Sequence, residues 1–155
     1  MGDTKKKTMS KTRIMCHIVF GTKARENSIN PEHKQELYNY IAGIIKKKGC
    51  YVDCINGIED HVHMLIDLNP TQALADMMEV VKSGSSNWLK RNPDFIRFKG
   101  WGSGYYAVSV SPDRVKSCRD YIKNQEKHHH DTGFMWEIEN LIKGIGLGWY
   151  PDDWT

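Results

Sequence analysis

Two histidines separated by one apolar residue, His61-Val62-His63, lie in the run Asp60-His-Val-His-Met-Leu-Ile-Asp-Leu68. The run has the make-up of a β-strand, whose side chains alternate between two faces. Val62, Met64, Ile66 and Leu68 then share an apolar face, and His61 and His63 share the other, about 7 Å apart. Two imidazoles so placed can grip one metal ion, although by themselves they also fit two polar residues on a wet sheet face. Further along, Tyr121 and Gln125 are four residues apart in a helical stretch, on one side and about one turn apart. A tyrosine is a possible covalent nucleophile, but a phenol with a pKa of about 10 is poor without activation. A nearby cation that polarises a phosphate supplies that help. His61, His63 and the amide oxygen of Gln125 offer three ligands and leave room for phosphate oxygens, the open pattern of a catalytic site. The plainer alternative is a tyrosine at the edge of the core and a solvated glutamine.

These residues need elements to hold them. Arg13 to Phe20 reads as a first strand, with Ile14, Cys16, Ile18 and Phe20 on one face and Met15, His17 and Val19 on the other. A strand apolar on both faces is usually central, and His17 is then a packed strand neighbour, not a third ligand. Asn30-Pro31 is a helix start that runs through Leu37, Ile41, Ile44 and Ile45 to Gly49. Cys50 to Ile55 is a second strand, Asn56-Gly57 a hairpin turn, and the histidine strand follows. Pro70-Thr71 opens a second helix with the apolar stripe Leu74, Met77, Met78, Val81, Trp88 and Leu89, stopped by Asn92-Pro93. Tyr105 to Val110 is a fourth strand. Ser111-Pro112-Asp113 starts a third helix that reaches about His129, with Val115, Cys118 and Ile122 as its stripe. The order βαββαβ predicts an α+β, ferredoxin-like (RRM-like) split βαβ antiparallel sheet with an added C-terminal helix. The first and third strands are central, both early helices cover one face, and the histidines look out of the other, open face. The third helix is the element that approaches them.

Size and composition set the outer limits. The chain has 155 residues, 39% hydrophobic and 26% charged, with a net charge of +3. That predicts one globular domain over 1–155 with a polar, disordered start over 1–10. The chain shows neither a membrane-length apolar run nor a signal peptide, and its four cysteines read as reduced thiols, so a cytoplasmic protein is expected. Cys50 and Cys54, about 13 Å apart in a strand, are too far apart for one bridge or one zinc ion. The mild positive charge permits nucleic-acid binding without demanding it.

Several stretches together resemble the HUH single-tyrosine transposases of the smallest bacterial insertion sequences. They are Cys16-His-Ile-Val-Phe with Lys23 and Arg25 beyond, Ile58-Glu-Asp-His-Val-His-Met-Leu-Ile, Val81-Lys-Ser-Gly-Ser-Ser86, and Trp101-Gly-Ser-Gly-Tyr-Tyr-Ala-Val-Ser-Val110. The last runs on to Tyr121-Ile-Lys-Asn-Gln125, and the tail Phe134-Met-Trp-Glu-Ile-Glu-Asn-Leu-Ile also fits. The resemblance implies an enzyme that cuts and rejoins single-stranded DNA carrying hairpins near the element ends. Tyr121 is the implied nucleophile, keeping the 5′ phosphate and releasing a 3′ hydroxyl. His61, His63 and Gln125 are the implied ligands of Mg²⁺ or Mn²⁺, whereas imidazole softness alone favours a transition metal such as Mn²⁺ or Zn²⁺. The resemblance further implies a homodimer in which Tyr121 of one subunit serves the histidines of the other. Arg13, Lys23, Arg25, Lys82 and Ser85 are candidate DNA contacts. Two rivals share parts of this pattern. A replication-initiator or relaxase nickase has the same chemistry, and the absence of an attached helicase counts against it. An RNA-binding module has the same topology, but would carry aromatics where His61 and His63 stand.

Overall fold

The computed structural model describes residues 10–127 and 133–154. The expected polar start, apart from Ser10, lies outside the described residues, as do His128 to His130 and the expected helix end near His129. Four strands form one antiparallel sheet: β1 (Met15–Gly21), β2 (Tyr51–Ile58), β3 (His61–Asp67) and β4 (Tyr106–Ser109), in the order β2-β3-β1-β4. β1 and β3 are therefore central, as the alternation predicts. Helices α1 (Lys34–Lys47) and α2 (Leu74–Lys90) cover one face. The inward side chains of β1 and β3, Ile18, Phe20, Val62, Met64 and Ile66, bury there against Leu37, Ile41, Ile45, Met77, Met78, Val81 and Leu89. Each such side chain contributes about 1.5–3 kcal/mol on burial. Among the described residues, no helix is long and apolar enough to cross a membrane.

The second face is not open. Helices α3 (Val115–Lys123) and α4 (Phe134–Gly144) cover it. Leu65 and Met15 pack on Ile122 of α3, while Val19 and Tyr106 pack on Phe134 and Ile138 of α4. His61 and His63, expected on an exposed surface, are fully buried (0% accessible). The reason lies in the sequence of that face: Met15, Val19 and Leu65 are apolar, and apolar area left in water draws a cover onto itself.

The hairpin that presents the histidines also differs from its expected form. Asn56-Gly57 is not the turn but lies inside β2, with Asn56 opposite His63 and Gly57 opposite Val62. The turn is Glu59-Asp60, two residues later. Glycine is needed at 57 for close approach, because a Cβ there would stand 2.1 Å from the carbonyl oxygen of His61. Asn56 is placed to tie down α3: its Nδ2 donates to Ile122 O (3.0 Å), Lys123 O (3.2 Å) and Glu126 Oε1 (2.9 Å). The ladder skips between Val52 and Cys54, leaving Asp53 without a cross-strand partner, and such bulges re-aim a side chain. Asp53 faces Arg119 of α3 in a two-pronged ion pair, 2.7 Å from Nε to Oδ1 and 2.8 Å from Nη2 to Oδ2. Arg119 holds the Asp53 carboxyl below its ordinary pKa. The tyrosine helix is thus moored to β2 along its length.

The remaining expected boundaries shift by a few residues. Asn30 does not cap α1; its Oδ1 accepts from Glu32 N (3.0 Å) in a turn that precedes the helix. The third helix breaks at Asn124 and resumes at 125–127. The four cysteines are free thiols.

Candidate functional site

β3 brings His61 and His63 to one face, and the helices over that face complete a buried cluster around them. Each histidine is oriented from behind. His61 donates from Nδ1 to Asp60 Oδ1 at 2.7 Å, and His63 Nδ1 lies 2.8 Å from His17 Nε2 on β1. Both Nε2 atoms consequently point the same way, as metal-ligating histidines with outer partners do. They meet the carboxylate of Glu137 on α4: its Oε1 is 3.2 Å from His61 Nε2 and 3.2 Å from His63 Nε2. Gln125 completes the ring, with Oε1 3.1 Å from His61 Nε2 and Nε2 donating to Glu137 Oε2 at 3.1 Å. The hydroxyl of Tyr121 also donates to Glu137 Oε2. The Tyr121 ring stands edge-on to His63 and to His17, with centroids 5.7 and 6.2 Å apart.

This network fixes the protons. Burial drives His63 down to about 3, so its ring is neutral. Its Nε2 donates to the carboxylate, which only accepts, so Nδ1 must accept from His17 Nε2. His17 is also neutral, pushed by burial down to about 4. For His61, burial opposes the charge, but the hydrogen bonds and charges of Asp60 and Glu137 outweigh it and raise the pKa. Its ring nitrogens face carboxylate oxygens on both sides, Nδ1 that of Asp60 and Nε2 that of Glu137. Burial, reinforced by the Glu137 carboxylate, raises the Tyr121 phenol well above its ordinary value.

The donor set fits a divalent cation. Ligand atoms of His61, His63 and Glu137 all lie within 4.8 Å of one another, and the amide oxygen of Gln125 lies beside them. Two imidazole nitrogens with amide and carboxylate oxygens can bind Mg²⁺, Mn²⁺ or Zn²⁺.

Of the residues read from the sequence, the structure assembles His61, His63, Tyr121 and Gln125. Tyr121 and Gln125 lie beside the histidines of the same chain. The moorings at Asp53 and Asn56 account for this, because they lay α3 back across β2 and β3. Glu137 and the orienting role of Asp60 were missed. Glu137 did leave a signal, since it falls on the helical stripe Phe134, Ile138 and Leu141, where an acidic residue must find a partner. Phe134 belongs to the site as well, stacked on His61 with centroids 4.1 Å apart. Gly21 makes room for it, since a Cβ there would lie 2.9 Å from Phe134 Cε2.

The candidate DNA contacts separate into three groups. Lys23 and Arg25 are exposed just beyond β1 at the end where Gly21 pairs with His61, in a turn that holds Ala24 and Arg25 at φ 55°. Arg13 is exposed at the opposite end of β1, about 20 Å away across a seven-residue strand. Lys82 and Ser85 are turned inward. Lys82 Nζ donates to Gly102 O (2.6 Å) and Gly104 O (3.3 Å). Ser85 is fully buried, donating to Val81 O and accepting from Trp101 Nε1 at 2.9 Å. Ser85 therefore has no surface from which to touch DNA, and both residues build the loop beside Lys23. An RNA-binding platform is also not formed, because α3 and α4 occupy the sheet face it would need.

A four-stranded antiparallel sheet with a His-x-His central strand and a tyrosine helix laid across it is the frame of an HUH tyrosine transposase. A profile of the family described as "Transposase IS200 like" matches residues 10–125, and the chain belongs to that family. It is 30% identical over 132 residues to the transposase for insertion sequence element IS200 of Salmonella typhimurium, covering 81% of this chain and 85% of that one. It is 25% identical over 118 residues to the ISDra2 transposase TnpA of Deinococcus radiodurans, covering 73% of this chain and 84% of the relative. In fold it is similar to a REP-associated tyrosine transposase solved bound to a REP hairpin. That similarity has a TM-score of 0.56 at 13% identity and covers 95% of this chain and 92% of the other.

Proposed function

We propose that this transposase cleaves and rejoins single-stranded DNA at insertion-sequence ends, with Tyr121 as the nucleophile. The observation that carries the reading is the convergence of the Tyr121 hydroxyl and both histidine Nε2 atoms on one buried cluster. Tyr121 Oη would attack a backbone phosphorus. The bond to the 3′ oxygen breaks, leaving a 5′-phosphotyrosine and a 3′ hydroxyl. The phenol proton has an acceptor in place at Glu137 Oε2. The released hydroxyl can later attack another phosphotyrosine, so each bond broken is replaced by one formed and no nucleotide is consumed. His61, His63 and Gln125 would hold Mg²⁺ or Mn²⁺, which supplies positive charge against the phosphate oxygens when bound. The hairpin bound by the REP-associated structure supports a hairpin-bearing substrate here, and Lys23 and Arg25 stand at the histidine end to meet its backbone. The test is incubation with single-stranded hairpin DNA carrying a flanking cleavage site and Mn²⁺. A protein–DNA band that survives denaturing electrophoresis, together with joined strands, is expected; cleavage that leaves no protein-linked strand would reject the tyrosine mechanism.

We also propose, on the family resemblance, that the protein acts as a homodimer. With the cluster complete in one chain, each subunit would carry its own site. Tyr121→Phe and His63→Ala proteins, mixed after subunit exchange, are then expected to stay without cleavage. Restored cleavage in confirmed heterodimers would mean that α3 crosses to the partner when DNA is cut.

A further inference from the structure

We propose that Glu137 is itself a ligand of the cation and that its charge tilts the site toward hard ions, Mg²⁺ and Mn²⁺. The inference rests on the cation site proposed above and adds to it a residue from a separate helix. Glu137 is buried to 6% accessibility, where a carboxylate is costly unless paired. Its Oε1 stands at the same distance, 3.2 Å, from the Nε2 atoms of both histidines, so one oxygen already faces both nitrogens that would bind the ion. The other oxygen faces Tyr121 and Gln125. The carboxylate thus has one side toward the imidazoles and one toward the nucleophile.

The pairing is more than His61 requires. Asp60 already meets that ring at 2.7 Å, and Glu137 adds a second carboxylate to the same cluster. A divalent cation would balance the two. Ligand chemistry points the same way. Two imidazoles and an amide form an uncharged set that suits nickel, copper or zinc, whereas adding a carboxylate makes the set harder and anionic, as magnesium and manganese prefer. The mismatch between soft ligands and a hard ion, visible in the sequence, is thereby resolved from α4. The helix is also anchored where it must be: Ile138 is fully buried, and Phe134 stacks on His61.

The test is calorimetric titration of the full chain, without DNA, with Mn²⁺ and Ni²⁺. Glu137→Gln is expected to weaken Mn²⁺ binding by about tenfold or more, given that even outer partners of ligands are worth this much, and to weaken Ni²⁺ clearly less. Glu137→Asp should recover part of the Mn²⁺ affinity. If a folded Glu137→Gln protein binds Mn²⁺ as the wild type does, or loses both ions equally, Glu137 is a structural partner and not a selective ligand. Should Glu137→Gln not fold, Glu137→Met, of similar length and without the carboxylate, takes its place under the same two criteria. His61→Ala separates the two levels of the argument. Loss of Mn²⁺ in that variant with retention in Glu137→Gln overturns only this inference, whereas retention in both overturns the cation site itself.

Discussion

Tyr121→Phe is expected to give no DNA-linked protein band and cleavage at background, while hairpin binding stays near wild type. The variant removes one oxygen and keeps the ring, which packs edge-on to His17 and His63. Loss of the hydrogen bond to Glu137 should cost about 1 kcal/mol of stability, the net worth of a typical hydrogen bond. The cost stays small because Glu137 retains His61, His63 and Gln125 as donors. The effect on chemistry is of a different order, because a phenylalanine has no nucleophilic atom. The environment sharpens the expectation. Burial and the neighbouring carboxylate hold the phenol protonated at rest, so attack depends on a partner that accepts its proton, and among the described residues no other tyrosine is brought to the histidines with such a partner. Tyr106, which also stands edge-on to His17 at 5.7 Å, is the control: a DNA-linked band persisting in Tyr121→Phe and lost in Tyr106→Phe would move the nucleophile there.

The frame of this site was legible because it rests on period-two alternation. His61 and His63 had to share a face once Val62, Met64 and Ile66 claimed the core, and antiparallel order put them on a central strand. What covers the histidines was less legible. The third helix was expected over that face, but α4 follows residues outside the described structure, and no local pattern says where such a helix docks. The apolar Met15, Val19 and Leu65 beside the histidines were the available clue, since a face carrying them does not stay wet. The Asn56-Gly57 pair misled for a related reason. It is a strong local turn signal, yet each residue answers a tertiary demand: Asn56 binds the end of α3, and Gly57 lets the backbone of His61 approach. Lys82 and Ser85 likewise read as surface polar residues until Trp101 and its loop came to rest on them.

Burial also changes what a histidine deletion will do. On an exposed face, His63→Ala would cost little stability. Here the ring is fully buried, stacks on His17 with centroids 5.1 Å apart, and bonds to both His17 and Glu137. His63→Ala should therefore lower unfolding free energy by about 2–4 kcal/mol, in the range of large-to-small core changes, because it opens a cavity and takes a donor from a buried carboxylate. A mere loss of cleavage would then be ambiguous between a missing ligand and a loosened site. Urea melts with and without Mn²⁺ separate the two. A ligand present at a hundred times its dissociation constant stabilises a folded protein by about 2.7 kcal/mol, and the wild type should show an increment of that size. The variant, although still folded at low urea, should show almost none, and cleavage should be absent at every Mn²⁺ concentration. An undiminished Mn²⁺ increment in His63→Ala would put the cation elsewhere, however inactive the variant proved. Unchanged stability without metal would mean that the packing of His63 against His17 and Glu137 contributes nothing to the fold. The combination expected, a weakened fold that Mn²⁺ no longer strengthens, requires one side chain to be both a packed member of the sheet face and a ligand.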